Sequence, residues 1–306
     1  MLSRVANSIY WLGRYVERAE NTARLINVNS HLLMDLPKRV RLGWAPIIDI
    51  FGTNHEFYDH YTEADERSVL RFLTSNLNNP SSILSSLSHA RENARTIRDI
   101  IPREVGEKIN ENFIYAREHV NEALTQRGRF EYMRNIITGS QTLTGMLAGT
   151  MTHDEGYSFL RMGRNLERAD MTTRIIDVRS ATLLPTDNEE LTPFENIQWV
   201  SVLKSMTAYQ MYRRAMRLQV RRPDVLRFLF QNRVFPRSVY HASCEVEDCI
   251  NHLPRSEKSL KTLKSLQKKL LKAKPEELRQ EQLHEFIDEL QLGLASVNGE
   301  ITANYF

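Results

Sequence analysis

Apolar residues recur every three or four positions along almost the whole chain, and no stretch sustains the two-residue alternation of a strand. On a helical wheel Leu12, Tyr15, Ala19, Ala23 and Ile26 share one stripe. The pattern therefore predicts helices throughout. Ser3 caps a first helix of thirty or so residues that ends before Pro37. A short helix begins at Pro46, and residues 63–74 are amphipathic. Ser81 or Ser82 caps a helix to residue 100, and Pro102 opens another that Gln126-Arg127-Gly128 ends. Residues 130–152 are rich in Gly, Ser and Thr and carry no charge after Arg134, which predicts a buried small-residue stripe. His153-Asp154-Glu155 starts a long helix to about Ser180, with Asp154 near its cap, and an acidic loop follows at 184–193. Helices are then expected over 194–217, between Pro223 and Pro236, over 236–253 and 258–274, and from Pro275 to the end. The fold class is all-α, a multi-helix bundle of about ten or more helices.

One polar helical segment occurs twice, at 13–28 and 163–178, an offset of 163 − 13 = 150. Nine of sixteen paired positions are identical, among them Gly13/Gly163, Arg14/Arg164, Glu17/Glu167, Arg18/Arg168 and Arg24/Arg174. Glu20/Asp170 keeps its charge. Beside the apolar stripe, Arg14, Glu17, Asn21 and Arg24 stack along one edge. Charges kept at the same heights twice are expected to face each other, a ligand or a partner. Three readings follow: an ion-pair lattice with the two segments packed together about an approximate two-fold, a groove for a carboxylate or phosphate, or a general base at Glu17 or Glu167. Glu20 can reach Arg24, and Asp170 can reach Arg174, at i, i+4. The repeat leaves two organisations open: one helical domain over 1–306, or two fused units at about 1–150 and 151–306.

Composition narrows the classes. With 41 basic and 38 acidic residues the net charge is +3, which gives no nucleic-acid footprint. Only 12 Gly and 10 Pro interrupt the helices. Cys244 and Cys249 lie on one helix at a spacing that points them apart, so a reducing, cytoplasmic setting is expected. No apolar run approaches the length of a membrane helix, and the N-terminus lacks an apolar signal core. Walker, dinucleotide, serine-elbow and CxxC motifs are missing, so no cofactor is expected. His55 and His60 fail zinc-helix spacing because Asp59 stands where the second histidine belongs, and no metal is expected. Arg233, Phe235 and Arg237 form either a partner-docking loop or a core-anchored turn. The lysines of 258–274 read as a solvated basic face.

"YWLGRYVERAENTARL" at 10–25 and "FLRMGRNLERADMTTRIIDV" at 159–178 resemble the Glu-Arg signatures of the Alpha-E family. "SHARENARTIRD" at 88–99 and "RVFPRSVYH" at 233–241 resemble its other recurrent segments. The resemblance implies an all-helical protein that partners ATP-grasp amide ligases and transglutaminase-like proteins. It makes Arg14, Glu17, Arg18, Glu20, Asn21, Arg24, Arg164, Glu167, Arg168, Asp170 and Arg174 the signature set. The expected function is an accessory subunit in peptide synthesis or modification. The rival is a stand-alone enzyme acting on amide bonds.

Overall fold

The computed structural model describes residues 1–35, 43–181, 192–216 and 219–306. The basic residues Lys38, Arg39 and Arg41, and the acidic loop up to residue 191, lie outside the described residues, whereas Thr192 and Pro193, expected in that loop, already belong to a helix. Among the described residues there are fourteen α-helices and no strand. The chain divides into two compact units, Met1–Arg164 with Tyr305–Phe306, and Asn165–Asn304. The division falls inside one long helix.

In the first unit α1 (Ser3–Asp35) packs on α5 (Ile83–Thr96) and α7 (Gln126–Thr150), and α6 (Arg103–Glu118) packs on α5 and α7. Three shorter helices, α2 (Ala45–Phe51), α3 (Asn54–Tyr58) and α4 (Glu66–Thr74), connect α1 to α5. Side-chain caps set the starts of α4, α5 and α7. Asp65 accepts from the Ser68 amide at 2.7 Å to begin α4. Ser82 accepts from the Ser85 amide at 3.1 Å to begin α5. Val69, Leu70, Phe72 and Leu73 of α4 are buried, each contributing about 1.5–3 kcal/mol of transfer free energy.

Three sequence expectations need correction here. Gln126-Arg127-Gly128 does not end a helix: α6 stops at Glu118, a 3-10 turn spans Glu122–Leu124, and α7 begins at Gln126. Thr125 decides this, because its hydroxyl accepts from the Gly128 amide at 3.1 Å and places that glycine in the first turn. The small-residue stripe of α7 is not buried along its length, since a Cβ at Gly145 or Gly149 would meet nothing within 4 Å. Only Gly139 is closely approached, by the amide of Asn112. The helix expected over 194–217 is two, α9 (Thr192–Ser205) and α10 (Tyr209–Met216), broken where Thr207 adopts a positive φ of 53°.

The second unit takes most of α8 (Glu155–Ala181) and then α9 to α14. Asp154 accepts from the Gly156 amide at 2.8 Å, as expected for a residue near the α8 cap. α11 (Arg222–Gln231), α12 (Val239–Asn251) and α13 (Glu257–Lys272) pack together, and Leu266 of α13 reaches Gly293 of α14 (Gln280–Tyr305). A 3-10 turn, Pro275–Glu277, separates α13 from α14. Gln231 holds the end of α13 by donating to the Leu270 and Ala273 carbonyls, both at 2.8 Å. No disulfide joins Cys244 and Cys249.

Candidate functional site

The duplicated segments lie on α1 and α8. Their glycines stand at a close crossing inside the first unit. A Cβ on Gly13 would collide with the Leu160 carbonyl oxygen, and one on Gly163 with that of Tyr10. The offset is again 160 − 10 = 150. Only glycine allows backbone to approach a helix face this closely.

Glu17 is 1% exposed and Glu167 3%. Arg14, Arg18, Arg164 and Arg168 are all half-buried, so the two copies share a burial pattern as well as residue types. Arg14 lies over the rings of Tyr10 and Trp11 at 5.9 and 5.1 Å, and Arg18 over Tyr15 at 5.5 Å. The two i, i+4 pairs form as the spacing predicts. Arg24 Nε and Nη2 donate to Glu20 Oε1 at 2.8 and 2.7 Å. Arg174 Nε donates to Asp170 Oδ2 at 2.9 Å. Asn21 is also buried.

Each copy is also riveted to another helix in the same way. Thr22 donates its hydroxyl to the Ser81 carbonyl at 2.9 Å, one residue before the cap of α5. Thr172 donates to the Arg237 carbonyl at 2.9 Å, one residue before Ser238, the cap of α12. This leads to a second duplicated stretch that a fixed offset of 150 misses. Residues 68–82 and 224–238 agree at eight of fifteen positions with an offset of 225 − 69 = 156. The shared residues are Val-Leu-Arg-Phe-Leu, then Asn76/Asn232, Pro80/Pro236 and Ser82/Ser238. Ser82 donates to the Asn76 carbonyl, and Ser238 to that of Asn232. In this setting Phe235 is buried against Phe228, with ring centroids 5.0 Å apart, and Arg237 is buried too. The loop's exposed surface is Arg233, Val234 and Pro236.

Two buried arginines escape a reading based on the repeat. Burial lowers the pKa of Arg179, one residue past the second segment, to about 10. Arg129 of α7 is a structural hub: it donates to the Ala123 carbonyl at 3.2 Å and Ser30 at 3.3 Å, pairs with Glu66, and lies over Trp44. Its side-chain partners Ser30 and Glu66 are distant in sequence, so no local pattern announces it.

The histidines of the rejected zinc motif do not converge, and His55 pairs with Asp59 at 3.0 Å on the surface. Among the described residues one group has a metal-compatible donor set: Asp177, His284 and Asp288. Both imidazole nitrogens are already engaged. Nδ1 meets Asp177 at 2.8 Å and Nε2 faces Asp288 at 3.6 Å. The hydrogen bond and charge of Asp177, aided by Asp288 and Glu285, raise the His284 pKa. This pair supplies a pH prediction. A folded pKa above the unfolded one gives stability that is complete below about pH 6.5 and lost as pH rises through the folded value. The melting-temperature gap between the parent and His284→Gln is expected to be wider at pH 6 than at pH 9. An equal gap at both would refute the charged pair.

A sequence model of the Alpha-E family, described as a predicted alpha-helical domain with a conserved ER motif, matches residues 1–306. Among curated proteins the chain is 25% identical over 199 residues to an uncharacterised protein of Mycobacterium bovis and to one of Mycobacterium tuberculosis strain CDC 1551. It is 24% identical over 199 residues to an uncharacterised protein of Mycobacterium tuberculosis strain H37Rv. Each match covers 59% of this chain and 22% of the relative, so the chain spans about a fifth of the length of the curated relatives it matches. No solved structure matches it. Among the described residues no helix is long and apolar enough to cross a membrane.

Proposed function

The chain belongs to the Alpha-E family, and from that premise we propose that it is a non-hydrolytic accessory subunit of an ATP-grasp amide ligase. Its duplicated Arg/Glu signature would organise the interface with the ligase or hold an acidic ligand there. The partner class comes from the family resemblance. The observation that carries the accessory role is the burial of Glu17 and Glu167. A general base must stand within hydrogen-bond reach of the proton it takes. A carboxylate enclosed among helices beside arginines is better suited to fixing geometry.

We further infer that the protein is two fused helical units descended from one. Supporting this, α5, α6, a 3-10 turn and α7 have 14, 16, 3 and 25 residues. Their counterparts α12, α13, a 3-10 turn and α14 have 13, 16, 3 and 26.

The test is co-expression with an ATP-grasp amide ligase from the same genome. A stable complex is expected, with ATP-dependent amide formation by the complex and no turnover of peptides or amino acids by the chain alone. Turnover by the chain alone, abolished by Glu17→Gln, would replace the accessory reading with the enzymatic one. Failure of the two proteins to associate would remove the proposed partner.

A further inference from the structure

The crossing of α6 and α7 borders a half-open cavity of about 310 Å³, lined by Lys108, Glu111, Asn112, Tyr115 and Asn135 among others. Its distinctive group is Asn112. The residue is 8% exposed, and its Nδ2 has no hydrogen-bond partner. Gly139 makes room for it: a Cβ there would stand 2.6 Å from Asn112 Oδ1.

The crossing of α13 and α14 provides an internal control. Counting from the helix starts, Asn112 corresponds to Leu266 and Gly139 to Gly293, both at an offset of 154 (266 − 112 and 293 − 139). A Cβ on Gly293 would stand 2.6 Å from Leu266 Cδ1, so the same close approach is made there by an aliphatic side chain. Nearby, Asn135 donates to the Tyr115 hydroxyl at 2.7 Å, whereas the corresponding Glu289 accepts from Lys269 at 2.8 Å. The packing problem at this crossing therefore has an apolar solution that the chain itself uses. The first unit instead holds an unpartnered amide against a cavity, a choice that lowers stability unless something completes its hydrogen bonds.

We propose that this cavity is a binding site for a small zwitterion carrying an amide, of the kind of glutamine or a short amide-bearing peptide. Asn112 carries a donor and an acceptor in one plane, the complement of a ligand amide; its Nδ2, closed off from solvent against Gly139, turns toward the cavity to meet the ligand. The Asn135–Tyr115 pair adds a second amide and a phenol. Burial raises the pKa of Tyr115, so it remains a proton donor. Lys108 and Glu111, joined at 2.7 Å, can part to take the ligand's carboxylate and ammonium. The lining has no net charge, which matches a zwitterion rather than an anion. The volume falls within the usual small-ligand range. The proposal rests on this cavity alone and stands apart from the ligase reading.

The test is titration of the full chain with L-glutamine, with L-leucine as a ligand of similar bulk that lacks the amide, followed by calorimetry or saturation-transfer NMR. Saturable binding of L-glutamine is expected, with L-leucine about tenfold weaker or worse. Asn112→Leu copies the solution of the other unit. It should raise the melting temperature by about 3 °C while weakening L-glutamine about tenfold. Should that variant fail to fold, Asn112→Ala supplies the same affinity comparison. No saturable L-glutamine binding, equal binding of L-leucine, or unchanged affinity in the Asn112 variants would each overturn the proposal.

Discussion

Alanine at Gly163 is expected to destabilise the protein by about 3 kcal/mol or more. The direction runs against helix propensity, by which alanine in a helix interior gains about 1 kcal/mol over glycine. Two effects compete, and the crossing decides between them. The added Cβ would fall well inside 3.0 Å of the Tyr10 carbonyl oxygen. That oxygen is backbone of α1 and cannot rotate away as a side chain could. Relief requires the helices to separate, which strips contacts from Ile9, Leu12 and Met162, all fully buried. Gly13→Ala is expected to behave alike, since its Cβ would strike the Leu160 carbonyl. Gly145→Ala is the control. That position is exposed on α7 with nothing within 4 Å, so propensity alone should act and stability should rise by about 0.5–1 kcal/mol. Urea denaturation of the three variants checks this. A Gly163→Ala protein as stable as its parent would mean that the helices do not cross as described.

The helical class was legible because a three-to-four-residue period survives almost everywhere. The Glu-Arg segments were legible because nine of sixteen positions coincide at one fixed offset. The rest of the similarity was hidden by length differences between elements. The offset is 150 at Glu17/Glu167, 156 at Phe72/Phe228 and 154 at Gly139/Gly293, so a search at one spacing loses register after the first connection. Helix ends were misjudged where a capping hydroxyl competes with a nearby glycine, as Thr125 does with Gly128. Arg129 was illegible for a different reason: Ser30 and Glu66 lie 99 and 63 residues away in the chain. Asn112 stayed invisible because an asparagine within an amphipathic helix usually faces solvent. Only the tertiary crossing places it against Gly139, and only comparison with Leu266 marks it as unusual.

The paired acids of the two signature copies should differ widely in energetic weight despite their shared spacing. Glu20 and Arg24 have side chains 2% and 10% exposed, with two guanidinium nitrogens on one carboxylate oxygen. Asp170 and Arg174 are 24% and 33% exposed and share a single contact at 2.9 Å. Removing one member of a buried pair leaves the other charge desolvated, at a cost of about 3–5 kcal/mol. Removing one member of a partly solvated pair lets water take its place, at a cost of about 1 kcal/mol or less. Glu20→Ala is therefore expected to lower the urea midpoint severely, and Asp170→Ala only slightly, with similar denaturant slopes. Salt separates the pairs further, because screening acts on the exposed pair and hardly on the buried one. Raising ionic strength should shrink the small Asp170→Ala loss and leave the Glu20→Ala loss almost unchanged. Equal losses from the two substitutions would mean that the copies are energetically equivalent and that burial does not set the strength of the signature pairs.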